Sequence, residues 1–138
     1  MTSRSDVLRA VPLFQGMTDP SIDQIAGLVH ETSFATGSVI FYEGDPGETF
    51  IVIVDGRAAV DRRGERVAEL SAGDFLGEIS LIDGGPRTAT VTATEPVHAL
   101  VIRNDGFNRL MNDYPAVRLA ILNAMAERVR RTSEAVSD

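Results

Sequence analysis

The chain has 138 residues, 43% hydrophobic and 6% aromatic, enough for one domain with one modest core and too few for a second. Its formal charge of −7 and isoelectric point near 4.8 set it against nucleic acid and anionic lipid surfaces, so direct binding to either is not expected. All 13 basic residues are arginine, which removes Schiff-base chemistry, an amine nucleophile and a P-loop lysine; the lack of cysteine removes disulfides, thiolate metal sites and a thiol nucleophile.

In chain order, Met1 to Ala10 lacks the long apolar run of a secretory signal. The most apolar stretch, Phe50 to Val54, is far short of the roughly 20 residues that span a bilayer. A cytoplasmic location without membrane contact is the expectation. Asp6 to Ala10 predicts a helical turn ending near Pro12. A firmer helix follows, with Asp19 at the N-cap, Pro20 at the first helical position, and Ile22, Ile25 and Val29 at helical spacing.

From Ser33 to Ile102 the rhythm changes to short β-branched runs: Ser38 to Tyr42, Thr49 to Val54, Arg57 to Asp61, Arg66 to Leu70, Val91 to Thr94 and Val97 to Ile102. Asp55-Gly56 and Arg62-Arg63-Gly64 both predict hairpin turns. Strands this short and evenly spaced suggest a rolled or closed sheet. Helical spacing returns with a short helix from about Asp105 to Met111, then a longer one from Pro115 to about Val136. The expected class is α+β: an antiparallel double-stranded, jelly-roll-like β-roll over about 33–102, N-terminal helices over about 5–31 and C-terminal capping helices over about 105–136. One domain over all of 1–138 is the expectation.

The segment 77–91 interrupts the strand pattern as a loop, one helical turn and a tight return. A short helix beginning at Gly77 aims free backbone N–H groups outward, where donors and dipole together attract an anion. Pro86 fixes the backbone before Arg87, whose guanidinium is a rigid fork matched to two phosphate oxygens, and Thr88 adds a hydroxyl. A cyclic phosphodiester carries one negative charge, so one arginine plus backbone amides can neutralise it without magnesium. Glu78 repels a phosphate but accepts a hydrogen bond from a ribose hydroxyl. A sugar phosphate accounts for both charges.

These residues resemble the phosphate-binding cassette of cyclic-nucleotide-binding domains, shared by the catabolite activator family, cyclic-nucleotide-dependent protein kinases and gated channels. Gly77, Glu78, Ser80, Leu81, Arg87, Thr88 and Ala89 fill the motif's places, and Val39-Ile40, Gly44, Asp45, Gly47, Phe50 to Ile53 and Gly56 match a second pattern. The glycines of that second pattern are taken as structural, serving turns of positive φ. The resemblance runs from about Leu8 to Val136 and implies a β-roll with a C-terminal helix that senses occupancy. It implies a ligand-binding set of Gly77, Glu78, Ile79, Ser80, Arg87, Thr88 and Ala89, with Glu78 on the ribose 2′-hydroxyl and Arg87 and Thr88 on the phosphate. Thr132 and Ser133 correspond to a Thr-Ser pair that reaches the adenine amino group in catabolite activators. The base would rest on roll residues such as Val52, Leu70 and Phe75. The implied ligand is cyclic AMP or cyclic GMP, with cyclic AMP preferred.

Leu122, Met125, Val129, Thr132 and Val136 follow an a/d rhythm that fits either a homodimer seam or packing onto the chain's own roll. Arg128, Arg130 and Arg131 are expected on a solvated face, the alternative being that one of them approaches the nucleotide base. His30 and His98 lie in different elements and lack companions at metal-ligand spacing, so no metal is expected. Asp83 and Glu78 have no nucleophile or histidine beside them for catalysis. The function expected is that of a non-catalytic cyclic-nucleotide sensor. Two alternatives stand beside it: a dimerisation or docking module without ligand, and the effector part of a transcription regulator or channel.

Overall fold

The computed structural model describes residues 3–137, with side chains for 3–128 and 130. Helix α1 (Arg4–Arg9) opens with a capping box, in which the Ser3 hydroxyl accepts from the Asp6 amide and the Asp6 carboxylate accepts from the Ser3 amide. A 3-10 turn at Pro12–Phe14 follows. Helix α2 spans Asp19–Ala26, and its N-cap is Thr18 rather than Asp19: the Thr18 hydroxyl accepts from Ser21 N at 3.3 Å. The helix stops at Gly27, so Val29 is not its last buried turn. It begins strand β1 (Val29–Phe34), where it pairs with Ile102. The helical spacing of Ile22, Ile25 and Val29 is therefore shared between two elements that bury the same core.

The roll is made of two antiparallel four-stranded sheets. One orders β1, β8 (Val97–Arg103), β3 (Thr49–Asp55) and β6 (Phe75–Leu76); the other orders β2 (Val39–Phe41), β7 (Thr90–Ala93), β4 (Ala58–Arg62) and β5 (Glu65–Leu70). The hairpin expected at Arg62-Arg63-Gly64 forms, and it is tight: Arg62 pairs with Glu65 across Arg63-Gly64, both of positive φ. Asp55-Gly56 does not form one. It carries the chain from one sheet to the other, since β3 pairs with β8 while β4 pairs with β7 and β5. Gly56 sits at φ +98, and a Cβ there would lie 2.1 Å from the carbonyl oxygen of Pro96.

Side-chain alternation along β3 divides the core in two. Phe50 and Val52 face the helices, while Ile51 and Ile53 face the roll interior. On the helix side the Phe50 ring lies 5.5 Å from Phe75 and 5.0 Å from Phe107, centroid to centroid, in tilted contacts. Helix α4 (Asn104–Asp113) contributes Phe107 and Leu110, and α5 (Pro115–Ser137) contributes Val117 and Ile121, one turn apart and fully buried. Between β6 and β7 lies the short helix α3 (Glu78–Asp83), the predicted helical turn. Among the described residues no helix is long and apolar enough to cross a membrane.

Candidate functional site

Gly77 follows β6 and caps α3 at φ +97, a conformation that side chains rarely adopt. Space requires glycine there as well, because a Cβ would stand 2.5 Å from Thr49 O and 2.8 Å from Nη1 of Arg87. Helix α3 turns its first residue inward, leaving Glu78 1% exposed, and buries Ser80. The Ser80 hydroxyl donates to Pro86 O at 3.1 Å and so closes the loop that α3 opens. Ile79 is half-buried, Ala89 buried and Thr88 exposed.

The loop between β2 and β3 clamps the backbone of Arg87. Gly44 N donates to Arg87 O at 2.9 Å, Arg87 N donates to Asp45 O at 2.8 Å, and Pro46 bridges Pro86. Gly47 is glycine for space and not for a positive φ: a Cβ would stand 2.2 Å from Ser80 Cβ and 3.1 Å from Arg87 Cζ. The second glycine motif thus works by holding the first.

Arg87 is 6% exposed. Its Nη2 donates to Thr49 O at 2.9 Å and Thr49 Oγ1 at 3.0 Å, its Nη1 to Gly77 O at 3.3 Å, and its Cζ lies 3.5 Å from the centroid of the Phe41 ring. Burial pulls its pKa down from the usual arginine value, opposed by the charge of Glu78. Burial pushes the Glu78 carboxyl up from its usual range, against the opposing pull of Arg128, of backbone bonding and of Arg87. The two expected ligand groups are therefore both desolvated, each favouring the other's charge.

Arg128 does not belong to a solvated face. It reaches from α5 into the cassette, where Nη1 donates to Glu78 Oε1 at 2.6 Å and Nη2 to Phe75 O at 3.1 Å, with Cζ 5.4 Å from the Phe75 ring centroid. One of the three arginines expected on a solvated face is thus a tether between helix and site. Arg130 is exposed as expected.

Of the residues expected under the base, Val52 is fully buried on the helix side of its sheet and does not line the roll interior. Phe75 also packs toward the helices, whereas Leu70 borders the roll interior. The α5 stripe divides: Leu122 is 44% exposed, and Met125 packs against the chain's own core. The side chains of Val129, Arg131, Thr132, Ser133 and Val136 lie outside the described residues. Among the described residues no group of three or more His, Asp or Glu could hold a metal ion; His98 instead pairs with Glu31 at 3.1 Å.

Residues 31–114, more than half of the chain, match the model of the cyclic nucleotide-binding domain. The chain belongs to that family. Over 138 aligned residues it is 28% identical to the CRP-like cAMP-activated global transcriptional regulator of Mycobacterium tuberculosis, covering 96% of this chain and 62% of the relative. It is 36% identical over 104 residues to a cAMP-dependent protein kinase regulatory subunit of Hypocrea atroviridis, covering 75% of this chain and 22% of the relative. The chain thus spans less than two thirds of the length of either relative. The crystal structure of the Thermus thermophilus catabolite activator protein superposes with a TM-score of 0.81 at 27% identity, covering 91% of this cyclic nucleotide-binding domain and 62% of that chain. Its β-roll and flanking helices are the architecture described above.

Sequence reasoning missed three partners of the site. Thr49 and Phe41 carry no local signal, because their role depends on strands brought beside the cassette. Arg128 could have been found from the demand that a fully buried Glu78 needs a cation.

Proposed function

We propose that this domain is a non-catalytic sensor of a cyclic nucleotide monophosphate, preferring cyclic AMP, in which the cassette residues Gly77, Glu78, Ile79, Ser80, Arg87, Thr88 and Ala89 take the sugar phosphate. The observation that carries this reading is the burial of one arginine and one glutamate within a single short cassette. A guanidinium suits a singly charged cyclic phosphate, and a carboxylate acceptor suits a ribose hydroxyl. The preference for cyclic AMP is supported by relatives described as cAMP-activated and cAMP-dependent. Thr132 and Ser133 complete the proposal at the base.

Signal output runs through α5. Arg128 occupies an oxygen of the carboxylate that the ribose hydroxyl would use, so ligand and helix meet on one group. A ligand shifts the helix only through contacts that differ between helix positions, and Glu78 provides such a contact. The cytoplasm is the proposed setting, and a homodimer through α5 the proposed assembly, centred on exposed Leu122.

Titration calorimetry with both cyclic nucleotides tests the reading. Arg87→Ala removes charge-assisted bonds of roughly 1.5 to 3 kcal/mol, so affinity should drop about 10- to 150-fold. Unchanged affinity would overturn the assignment. Absence of binding by the unmutated chain would favour a ligand-free docking module.

A further inference from the structure

We infer that Thr49 is a positioning residue: its hydroxyl, with the Phe41 ring, sets the plane in which the Arg87 guanidinium meets an anion. The inference rests on the cyclic-phosphate reading above and deepens it. A free arginine side chain carries considerable rotamer entropy, part of which is lost when the fork is immobilised on a phosphate. Arg87 has already lost it. Its Nη2 has two hydrogens and finds two acceptors on one residue, Thr49 O and Thr49 Oγ1, while Nη1 reaches Gly77 O. The Phe41 ring, 3.5 Å from Cζ, supports one face of the guanidinium.

Three of these supports come from elements outside the cassette's own segment. Thr49 is the first residue of β3, and Phe41 the last of β2. The strands therefore orient a side chain that the cassette only anchors by its backbone. Nη2 is the end of the fork held by Thr49. Thr49 thus takes up both donors of Nη2, and Gly77 O takes one of Nη1. Of the acceptors involved, two are backbone carbonyls. The hydroxyl is the one that a substitution can remove.

Calorimetry with cyclic AMP and cyclic GMP on the unmutated chain, Thr49→Val, Thr49→Ser and Thr49→Val/Arg87→Ala tests this. Thr49→Val should weaken binding roughly three- to tenfold, Thr49→Ser should stay within about twofold of the parent, and the valine should have no further effect once Arg87 is alanine. Nitrogen-15 spectra of Arg87 supply a ligand-free readout: distinct, slowly rotating Nη signals in the parent should merge in Thr49→Val and persist in Thr49→Ser. Should the valine variant fold poorly, Thr49→Ala carries the same expectation. Parent-like affinity and spectra in the hydroxyl-free variant, or an equal loss in the Arg87→Ala background, would overturn the role of Thr49. Failure of the parent to bind either nucleotide would instead bring down the functional reading, and with it any service of Thr49 to an anion.

Discussion

At the scale of single residues, the site turns on the cost of burying Glu78. Its folded-state pKa is raised above the ordinary value of 4.5, with desolvation the leading cause and the Arg128 ion pair the largest opposing one. For a carboxyl shifted upward, the folded state holds its proton more tightly than the unfolded state. Its stability contribution is therefore full below the ordinary value and is lost as pH rises through the raised one. Glu78→Gln imitates the protonated group, so urea titrations should show the parent's deficit relative to this variant narrowing as pH falls through that window. Ligand affinity should move in the opposite direction. If the ionised carboxylate accepts the ribose hydroxyl, calorimetry should show weaker binding as pH falls through the raised pKa, with a flatter profile in Glu78→Gln. Glu78 and Arg87 were both legible from residue type and spacing, because a phosphate and a sugar need opposite chemistry within a few residues. Thr49 and Phe41 were not, since nothing in their neighbours marks the approach of Arg87.

At the scale of elements, the cassette is held between a loop and a helix. The loop's contribution is steric at Gly47, where an added Cβ would meet the Ser80 Cβ at 2.2 Å and its hydroxyl oxygen at 2.6 Å. Gly47→Ala should cost about 1 to 3 kcal/mol in urea unfolding and weaken cyclic-nucleotide binding as Ser80 and Arg87 are displaced. The helix's contribution is Arg128. Arg128→Met removes a charge-assisted bond to a buried carboxylate, and its 40% exposed side chain moderates the loss to about 1 to 2 kcal/mol. Hydrogen exchange in α5 beyond Ile121 should accelerate several-fold in this variant, while exchange in β3 and β8 stays at the parental rate. The short helix α3 and the long α5 were legible from caps, proline and spacing. Strand β1 was not, because Val29 continues a helical apolar pattern into a segment whose partner, Ile102, lies far along the chain.

At the scale of the whole molecule, the two faces of one sheet serve different tasks. One face joins the helices through Phe50, Phe107 and Ile121; the other closes the roll through Ile51 and Ile53. Ile121 is fully buried and anchors α5 on the helix-side core. Ile121→Ala should destabilise the fold by about 2 to 5 kcal/mol, read by chemical denaturation, and uncouple α5 from ligand occupancy. Gly56 governs the passage between sheets. Gly56→Ala forces both a strained φ and a collision with the Pro96 carbonyl, so a loss of at least about 2 kcal/mol is expected, visible as a lower Tm.

By itself the sequence determined the fold class, the place of the cassette and the charges within it, because these follow from local periodicity, turn chemistry and residue type. Tertiary structure decided what touches those charges. Asp55-Gly56 obeys hairpin chemistry in either setting, but only pairing across the sheets made it a crossover. Val52 is apolar in either setting, but only the facing of β3 turned it toward the helices. Arg128 had the pattern of a solvated arginine until the packing of α5 brought it to Glu78. The physical reason is the same in each case: propensity and pattern act over a few residues, whereas the cost of a buried charge or an unfilled space is settled between segments distant in the chain.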